Sequence, residues 1–557
     1  MDTYTLFILL SIFPTFWLLG KIRVRLQLSM AKHPSLRGHS KWSRRISKLI
    51  PYFEYDQYAF FNSDKAPETI TKKRINAFNR LKEKLNKQYF HSISFSDSLE
   101  KSVSDVAFTN AYRVPFPYQR FISENIRIAN VAIESSDLKL KDLDSNWNYD
   151  LFSSYGVNVF GYDFYKHCMA EAYKSFADLG PVLGPYHPLI KANVLRLKKI
   201  SGLDEISFHM SGTEAVMQAV RLARYHTGKT HLVRFCGAYH GWWDGVQPGI
   251  GNQRESSDIY TLEDLSENTI RVLNTRNDIA CILINPLQAL HPNSDAASDA
   301  TLISSSRSAN FDRQSYTKWL QRIREICTRR DIVLIIDDIF TGFRLAYRGA
   351  QEYFKVQGDI VTYGKTLGGG LAVGVVCGKH NLMKRFKPNQ PANVSFARGT
   401  FNSHPYLMAC MNEFLKQIEL PKYQELYQNS DALWNNRVIE LNRRLEQLSV
   451  PVKIINLSTV WTLTYTLPSR YNWMYQFYLR EQSLSLGWIG SGRFILSLNY
   501  SDEDYEQLMQ AIVRAGEKML ADGWWWQDAK LTNKSIQRQY AKDIISSRIP
   551  QLKKVLH

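Results

Sequence analysis

The chain has 557 residues, 44% of them hydrophobic and 22% charged, with a formal net charge of +18. That length supports a large core in two or three lobes, and the composition excludes wholesale disorder. Six scattered cysteines without a CxxC pair exclude a disulfide framework, give no metal-ligand pattern, and read as reduced core residues of a cytosolic compartment.

The first predicted element is the uncharged run TYTLFILLSIFPTFWLLG, Thr3 to Gly20. At helical rise it extends about 27 Å, close to the hydrocarbon thickness of a bilayer. It predicts a membrane anchor rather than a cleaved signal, because Asp2 precedes it and Lys21, Arg23 and Arg25 follow. Cations on that flank put the body of the protein on the cytoplasmic side. Pro14 and the marginal length leave an interfacial or re-entrant segment as the alternative. From Lys21 to Ile50 there are many lysines and arginines and no acidic residue, and a second basic excess runs from Lys530 to Lys554. Such stretches suit anionic head groups or nucleic-acid phosphates, and solvated tails have the same composition. The apolar neighbour favours lipid for the first stretch, and a nucleic-acid partner is not expected.

Pro67 to Leu85 has the pattern of an amphipathic helix, whereas Asp97 to Asn148 is polar with weak periodicity. From Leu151 the texture becomes short β-branched or aromatic runs alternating with helical patterns, which predicts an α/β protein. EISFHM, HLVRF, ACILIN, DIVLIID and DIVTYG fit buried strands, with helices at TEAVMQAVRLARYH and SYTKWLQRIREICTRR. The stretch Pro292 to Asn310, rich in Ser, Asp and Ala, is either a lid or a disordered loop. A helix is expected from Ser501 to about Ala521, before the cluster Trp524, Trp525 and Trp526.

Four segments carry chemistry. In EISFHMSGTEAVMQAV a strand ends at a small-residue turn, Ser211, Gly212 and Thr213, and a helix begins there. Hydroxyls, free amides and the helix dipole converge on such a turn and suit a phosphate, although a plain helix cap has the same residues. In FCGAYHGWWDG, Tyr239, His240 and Gly241 end the next strand, and Tyr239 offers a ring for stacking or for ordinary packing. In IVLIIDDIFTGFR an apolar run brings Asp337 to the end of a buried strand, where a carboxylate needs a cationic partner or a shared proton. A pyridinium nitrogen would serve, and so would a salt bridge to Arg344; Asp338 points the other way. In DIVTYGKTLGGG, Lys365 stands at a strand end before a glycine-rich turn, either as a desolvated amine able to form a Schiff base or as a solvated loop lysine.

The strings SGTEAVMQAVRLAR, YHG, LIIDDIFTGFR, DIVTYGKTLGGGLAVG and RGTFNSHP, in this order and spacing, resemble class III pyridoxal-phosphate aminotransferases of the aspartate-aminotransferase fold. Glutamate-1-semialdehyde aminomutase and its relatives are the nearest in kind. The resemblance runs from about Leu203 to Met408 and more faintly beyond. It implies a mostly parallel central sheet flanked by helices in a large domain, and a smaller α+β domain from both chain ends. It implies pyridoxal 5'-phosphate as cofactor, Lys365 as the Schiff-base and proton-moving lysine, and Asp337 on the pyridine nitrogen. Ser211, Gly212 and Thr213 match the phosphate turn and Tyr239 the residue stacked on the ring. Thr400, in RGTFNSHP, matches a threonine that reaches the neighbouring subunit's phosphate, which implies a homodimer.

The chain departs from the family in several places. Asp338 stands where the family has Glu, and Asn285 where it has the Glu of Glu-Pro. Trp242 and Trp243 are bulkier than expected and would narrow or grease the substrate entrance. The aminomutase's amino-terminal substrate-binding string is missing. Arg113 is a candidate substitute, with a structural role as the alternative. Arg493 matches an arginine that in many of these transaminases holds the substrate carboxylate, and a plain salt bridge is its competitor.

The expected division is an anchor over 1–25, a basic extension and start of the small domain over 26–150, a cofactor domain over 151–400, a small domain over 401–525 and a basic tail over 526–557. The expected reaction passes an amino group from an amine donor to a carbonyl acceptor through pyridoxamine phosphate, on a large, lipid- or polyketide-like substrate. The alternatives are an aminomutase, an α-oxoamine synthase or racemase on the same fold, and a membrane-bound basic scaffold with a vestigial cofactor fold.

Overall fold

The computed structural model describes residues 3–32, 45, 47–129, 131–246, 252, 254, 257–293, 309–487 and 490–548, and side chains of the first helix from residue 14 onward. Most of the expected lid or disordered loop over 292–310, and the last residues of the expected tail, lie outside the described residues.

Helix α1 (Thr3–Met30) carries the apolar run into the basic one. Its end is docked on the protein body. Ala31, just beyond it, is fully buried in the main core with Leu28 against that core, and its carbonyl accepts from the Glu263 amide at 2.9 Å. Among the described residues no helix is long and apolar enough to cross a membrane. The expected spanning anchor is therefore corrected to a helix held at its carboxy-terminal end by the body. The side chains of residues 3–13, on which that expectation rested, lie outside the described residues.

The small domain begins with α2 (Glu68–Gln88), α3 (Phe90–Glu100) and α4 (Phe116–Asn125). α2 follows the predicted pattern, burying Thr71, Arg74, Phe78, Leu81 and Leu85 at steps of three and four. Arg74 forms a buried two-pronged pair with Asp64 at 2.7 and 2.8 Å and donates to the Gly523 carbonyl at 2.9 Å. One guanidinium thus joins the two ends of the chain. A meander of β1 (Glu134–Ser136), β2 (Lys139–Lys141) and β3 (Trp147–Asp150) follows.

The large domain holds seven strands: β4 (Glu205–His209), β5 (His231–Phe235), β6 (Ile259–Leu262), β7 (Ile279–Ile284), β8 (Val333–Asp337), β9 (Ile360–Gly364) and β10 (Gly374–Gly378). Their order is β4-β10-β9-β8-β7-β5-β6. β9, β8, β7, β5 and β6 are mutually parallel, and β10 runs antiparallel to both its neighbours. The parallel strands are apolar on both faces because helices cover both sides. Those helices include α5 (Tyr162–Phe176), α6 (Leu189–Ser201), α7 (Gly212–Thr227), α8 (Glu267–Thr275), α9 (Arg313–Arg330) and α10 (Pro405–Gln417), with α1 packed on α8. The five predicted strands are present. β10 went unread because its sequence, GVVCG, has a glycine at each end and continues a glycine-rich turn.

After the exposed hairpin of β11 (Phe386–Lys387) and β12 (Gln390–Val394), the chain completes the small domain. α11 (Ser430–Gln447), β13 (Val452–Leu457), β14 (Val460–Tyr465), α12 (Tyr475–Glu481), β15 (Leu484–Ser485), β16 (Arg493–Ile495) and α13 (Asp502–Ala521) follow in turn. β15 pairs parallel with β3, which joins a late segment of the chain to an early one. The segment expected as a basic tail contains α14 (Asn533–Arg548), whose Asp543 accepts from the Tyr55 hydroxyl at 2.6 Å and pairs with Arg470 at 3.2 Å.

Asp338 follows β8 directly. Its buried carboxylate accepts from the Ala350 amide at 2.8 Å and from the Thr341 hydroxyl. Burial, with the Asp337 charge beside it, pushes this carboxyl up to about 7. The folded chain then holds a proton that the unfolded chain releases, so this group's stabilisation is lost as pH rises through that value. Between about pH 5 and pH 7 the urea-unfolding free energy of the wild type should fall relative to Asp338→Asn, which offers Thr341 an amide in place of the protonated carboxyl. Parallel pH profiles for the two chains would refute this account.

Candidate active site

Lys365 and Asp337 lie at the carboxy-terminal ends of neighbouring parallel strands, the edge at which open α/β sheets place ligands. β8 and β9 pair with Asp337 opposite Thr362. β8 ends on Asp337, and β9 ends one residue before Lys365. Lys365 has φ of 48°, the left-handed region, which costs a non-glycine residue about 1 kcal/mol. That turn directs the side chain into a largely buried position, with Nζ 6.0 Å from the centre of the Phe340 ring. Burial lowers the amine's pKa and the Arg344 charge adds to this, while Asp337 opposes both. A lysine so placed holds more of the neutral, nucleophilic form than one in water.

Asp337 is 4% exposed. One of its oxygens, Oδ2, accepts from His240 Nδ1 at 2.8 Å. The other, Oδ1, accepts longer bonds from the Ile339 amide at 3.3 Å and the Thr362 hydroxyl at 3.4 Å. Burial holds the His240 pKa below its ordinary value, with Asp337 opposing. Burial thus disfavours the charged ring, and facing a carboxylate oxygen Nδ1 is the donor. The suggested salt bridge from Asp337 to Arg344 is not formed: Arg344 donates to Thr459 Oγ1 and to the carbonyls of Gly156, Asn158 and Leu496. His240 was in view in the sequence as part of YHG, but nothing local linked it to an aspartate 97 residues away.

Ser211 caps α7, its Oγ accepting from the Glu214 amide at 3.2 Å, while the Glu214 carboxylate accepts from the Met210 amide at 2.9 Å. This reciprocal cap fixes the turn and leaves the amides of Gly212 and Thr213 at the helix's positive end. Two glycines let other elements close on the turn. A Cβ on Gly374 of β10 would lie 1.9 Å from the Ser211 carbonyl oxygen, and one on Gly241, at φ +92°, would lie 2.5 Å from Thr213 Oγ1. The YHG loop and the SGT turn are thereby in contact.

These residues line one cavity of about 330 Å³, with Tyr239, Asn285, Phe340 and Val157 at its walls. Asn285 donates to the Tyr239 carbonyl at 2.5 Å and accepts from the Leu287 amide at 3.1 Å, so this departure from the family steadies the Tyr239 loop. Trp242 is exposed, while Trp243 packs on the core. Three candidate residues stand apart. Arg493 lies in β16 and is not among the residues that line this cavity. Arg113 is buried elsewhere, its carbonyl accepting from Gln476 at 3.0 Å. Thr400 is exposed on the loop after β12, outside the cavity.

The site offers a desolvated amine, a carboxylate already supported from behind by a histidine, and an amide-lined anion cradle. An aldehyde on a phosphorylated pyridine needs these three groups, and they fit it. Together with the mixed sheet they define a pyridoxal-phosphate enzyme. The chain belongs to the class-III aminotransferase family, whose profile matches residues 123–515. It is 30% identical over 351 residues to glutamate-1-semialdehyde 2,1-aminomutase of Methanocaldococcus jannaschii, covering 59% of this chain and 75% of that one. It is 31% identical over 349 residues to the protein of that name from Nitratidesulfovibrio vulgaris, covering 62% and 78%. Among solved structures it shares the fold of a glutamate-1-semialdehyde aminomutase from Pseudomonas aeruginosa, with TM-score 0.63, 16% identity and 80% and 99% of the two chains covered. A β-phenylalanine aminotransferase from Variovorax paradoxus is similar, with TM-score 0.62, 19% identity and coverage of 80% and 96%. The protein is a pyridoxal-phosphate-dependent transaminase or aminomutase.

The His240 contact can be weighed by mutation. His240→Leu should lower the urea-unfolding free energy of the cofactor-free protein by about 1–3 kcal/mol, since it removes a donor from a buried carboxylate. His240→Asn, which can place an amide near the same oxygen, should recover part of that loss. Equal losses in both variants would show that ring packing, not the hydrogen bond, matters there.

Proposed function

We propose that the protein transfers an amino group from an amine donor to a carbonyl acceptor, with Lys365 binding the cofactor's carbonyl and moving the proton. The observation that carries this is the placement of Lys365 and Asp337 at adjacent strand ends, with His240 behind the carboxylate. Pyridoxal phosphate, when bound, supplies the electron sink and carries the amino group between the two half-reactions. Asp337, aligned by His240, would pair with the ring nitrogen and keep its proton in place. Gly212 and Thr213, with the Ser211 and Thr213 hydroxyls nearby, would hold the phosphate, and Tyr239 would meet the ring. With the cofactor bound, the Lys365 amine would take the proton from the donor carbon and pass it on.

The proposed substrate is a large, hydrophobic carbonyl compound. Val157, Val216, Phe340, Leu371 and Val373 line the cavity, and Lys365 is its sole lysine or arginine among the described residues. The names of the similar aminomutases favour a second reading, in which donor and acceptor lie in one molecule. The proposed assembly is a homodimer in which Thr400 reaches the partner's phosphate. The exposed Val394, Phe396 and Phe401 beside it support that reading. The proposed location is a membrane surface on the cytoplasmic side. The support is the exposed Phe16, Trp17, Leu18 and Leu19 of α1 beside Lys21, Arg23 and Arg25.

The decisive experiment purifies the full chain in detergent, records its visible spectrum and titrates amine donors with aliphatic ketones or with glutamate 1-semialdehyde. Conversion of the spectrum by donor alone, with amine appearing on the ketone, is expected. Turnover of the semialdehyde alone would instead establish the aminomutase. Lys365→Ala should lose the lysine-linked band and reduce turnover about 10³-fold or more, and wild-type behaviour of that variant would overturn the assignment. Cosedimentation with anionic but not neutral vesicles checks the location, and failure to bind either would remove it.

A further inference from the structure

A second cavity, of about 180 Å³, lies inside the small domain and shares no lining residue with the Lys365 cavity. Leu85 of α2, Leu140 of β2 and Leu484 of β15 form an apolar wall, and Arg480 of α12 supplies a guanidinium. Arg480 is 7% exposed. Its Nη2 donates to the Leu486 carbonyl at 3.1 Å, and its Nε is buried with no hydrogen-bond partner among the described residues. The neighbouring Glu481 is turned away to Lys84 and Lys518. Asp142 also lines the cavity, but its carboxylate is occupied by Asn146, Asn148 and the Asp144 amide. A buried guanidinium whose one acidic neighbour in the cavity lining is already taken up by amides is costly unless an anion joins it. The like charge of Arg113 nearby and the burial itself depress its pKa.

We propose that this cavity binds a small monocarboxylate with a short hydrocarbon body, its carboxylate on Arg480 and its chain against the leucines. The guanidinium's planar fork matches a carboxylate. The apolar wall favours a hydrocarbon, and Asp142 repels an ion of higher charge. The volume suits on the order of half a dozen to eight heavy atoms. The inference does not depend on the reaction proposed for Lys365.

The test uses the full-length, cofactor-loaded protein and titrates hexanoate, hexanol and inorganic phosphate by calorimetry, with the visible spectrum followed in parallel. Hexanoate should bind saturably and raise Tm without altering the spectrum, and the other two should not. Arg480→Met should weaken hexanoate by about tenfold or more. Ala129→Phe, which fills the half-buried rim of the cavity and keeps the charge, should block it, so the proposal stays testable if Arg480→Met does not fold. Absence of hexanoate binding, equal binding of hexanol or phosphate, undiminished binding by Ala129→Phe, or a spectral change placing hexanoate at Lys365 would each overturn it.

Discussion

The Arg344 guanidinium is the contact on which the arrangement of the active site rests. It is fully buried, and its terminal nitrogens donate to the carbonyls of Gly156, Asn158 and Leu496 and to the Thr459 hydroxyl. A cation taken out of water without a carboxylate is held by such a ring of oxygens, and burial brings its pKa down to about 10. The four acceptors belong to the turn after β3, the β13–β14 turn and the segment after β16. One side chain from the loop after β8 therefore draws the small domain onto the large one beside Phe340 and Lys365.

This clasp also explains the electrostatics of the site. With Arg344 engaged on neutral oxygens, Asp337 keeps one oxygen on His240 and only long bonds on the other. The carboxylate is thereby oriented without being neutralised by a fixed cation, the state a protonated ring nitrogen requires. Burial lowers the Lys365 pKa, Asp337 opposes it, and the Arg344 charge adds a smaller push in the same direction as burial. The same guanidinium thus serves the amine and leaves the acid free.

Much of this was legible in the sequence because it is local. The five strands, the helix after the SGT turn and the strand-end positions of Asp337 and Lys365 follow from runs of apolar residues bounded by turn formers. Contacts between distant segments could not be read in that way. A buried aspartate calls for a partner, and Arg344, seven residues on, was the local candidate. The partner is His240, which reaches Asp337 because β5 and β8 flank β7 in the sheet. Arg493 matched a substrate-binding position by its string, and whether a side chain in β16 meets substrate depends on packing that the string does not carry. The apolar run at the amino terminus had the length and flanks of an anchor, but composition could not reveal that the end of its helix docks beside α8.

The sequence by itself determined the family and the cofactor, and it put a lysine, an aspartate and a small-residue turn at strand ends. Each of these depends on residue type at a fixed place along one strand or turn. The tertiary structure decided which groups face one another: His240 behind Asp337, Arg344 across the two domains, and Arg480 in a cavity whose one lining acid, Asp142, is occupied by amides. Hydrogen bonds and charge compensation act through space at about 3 Å, and in these cases strand order and domain packing set that distance.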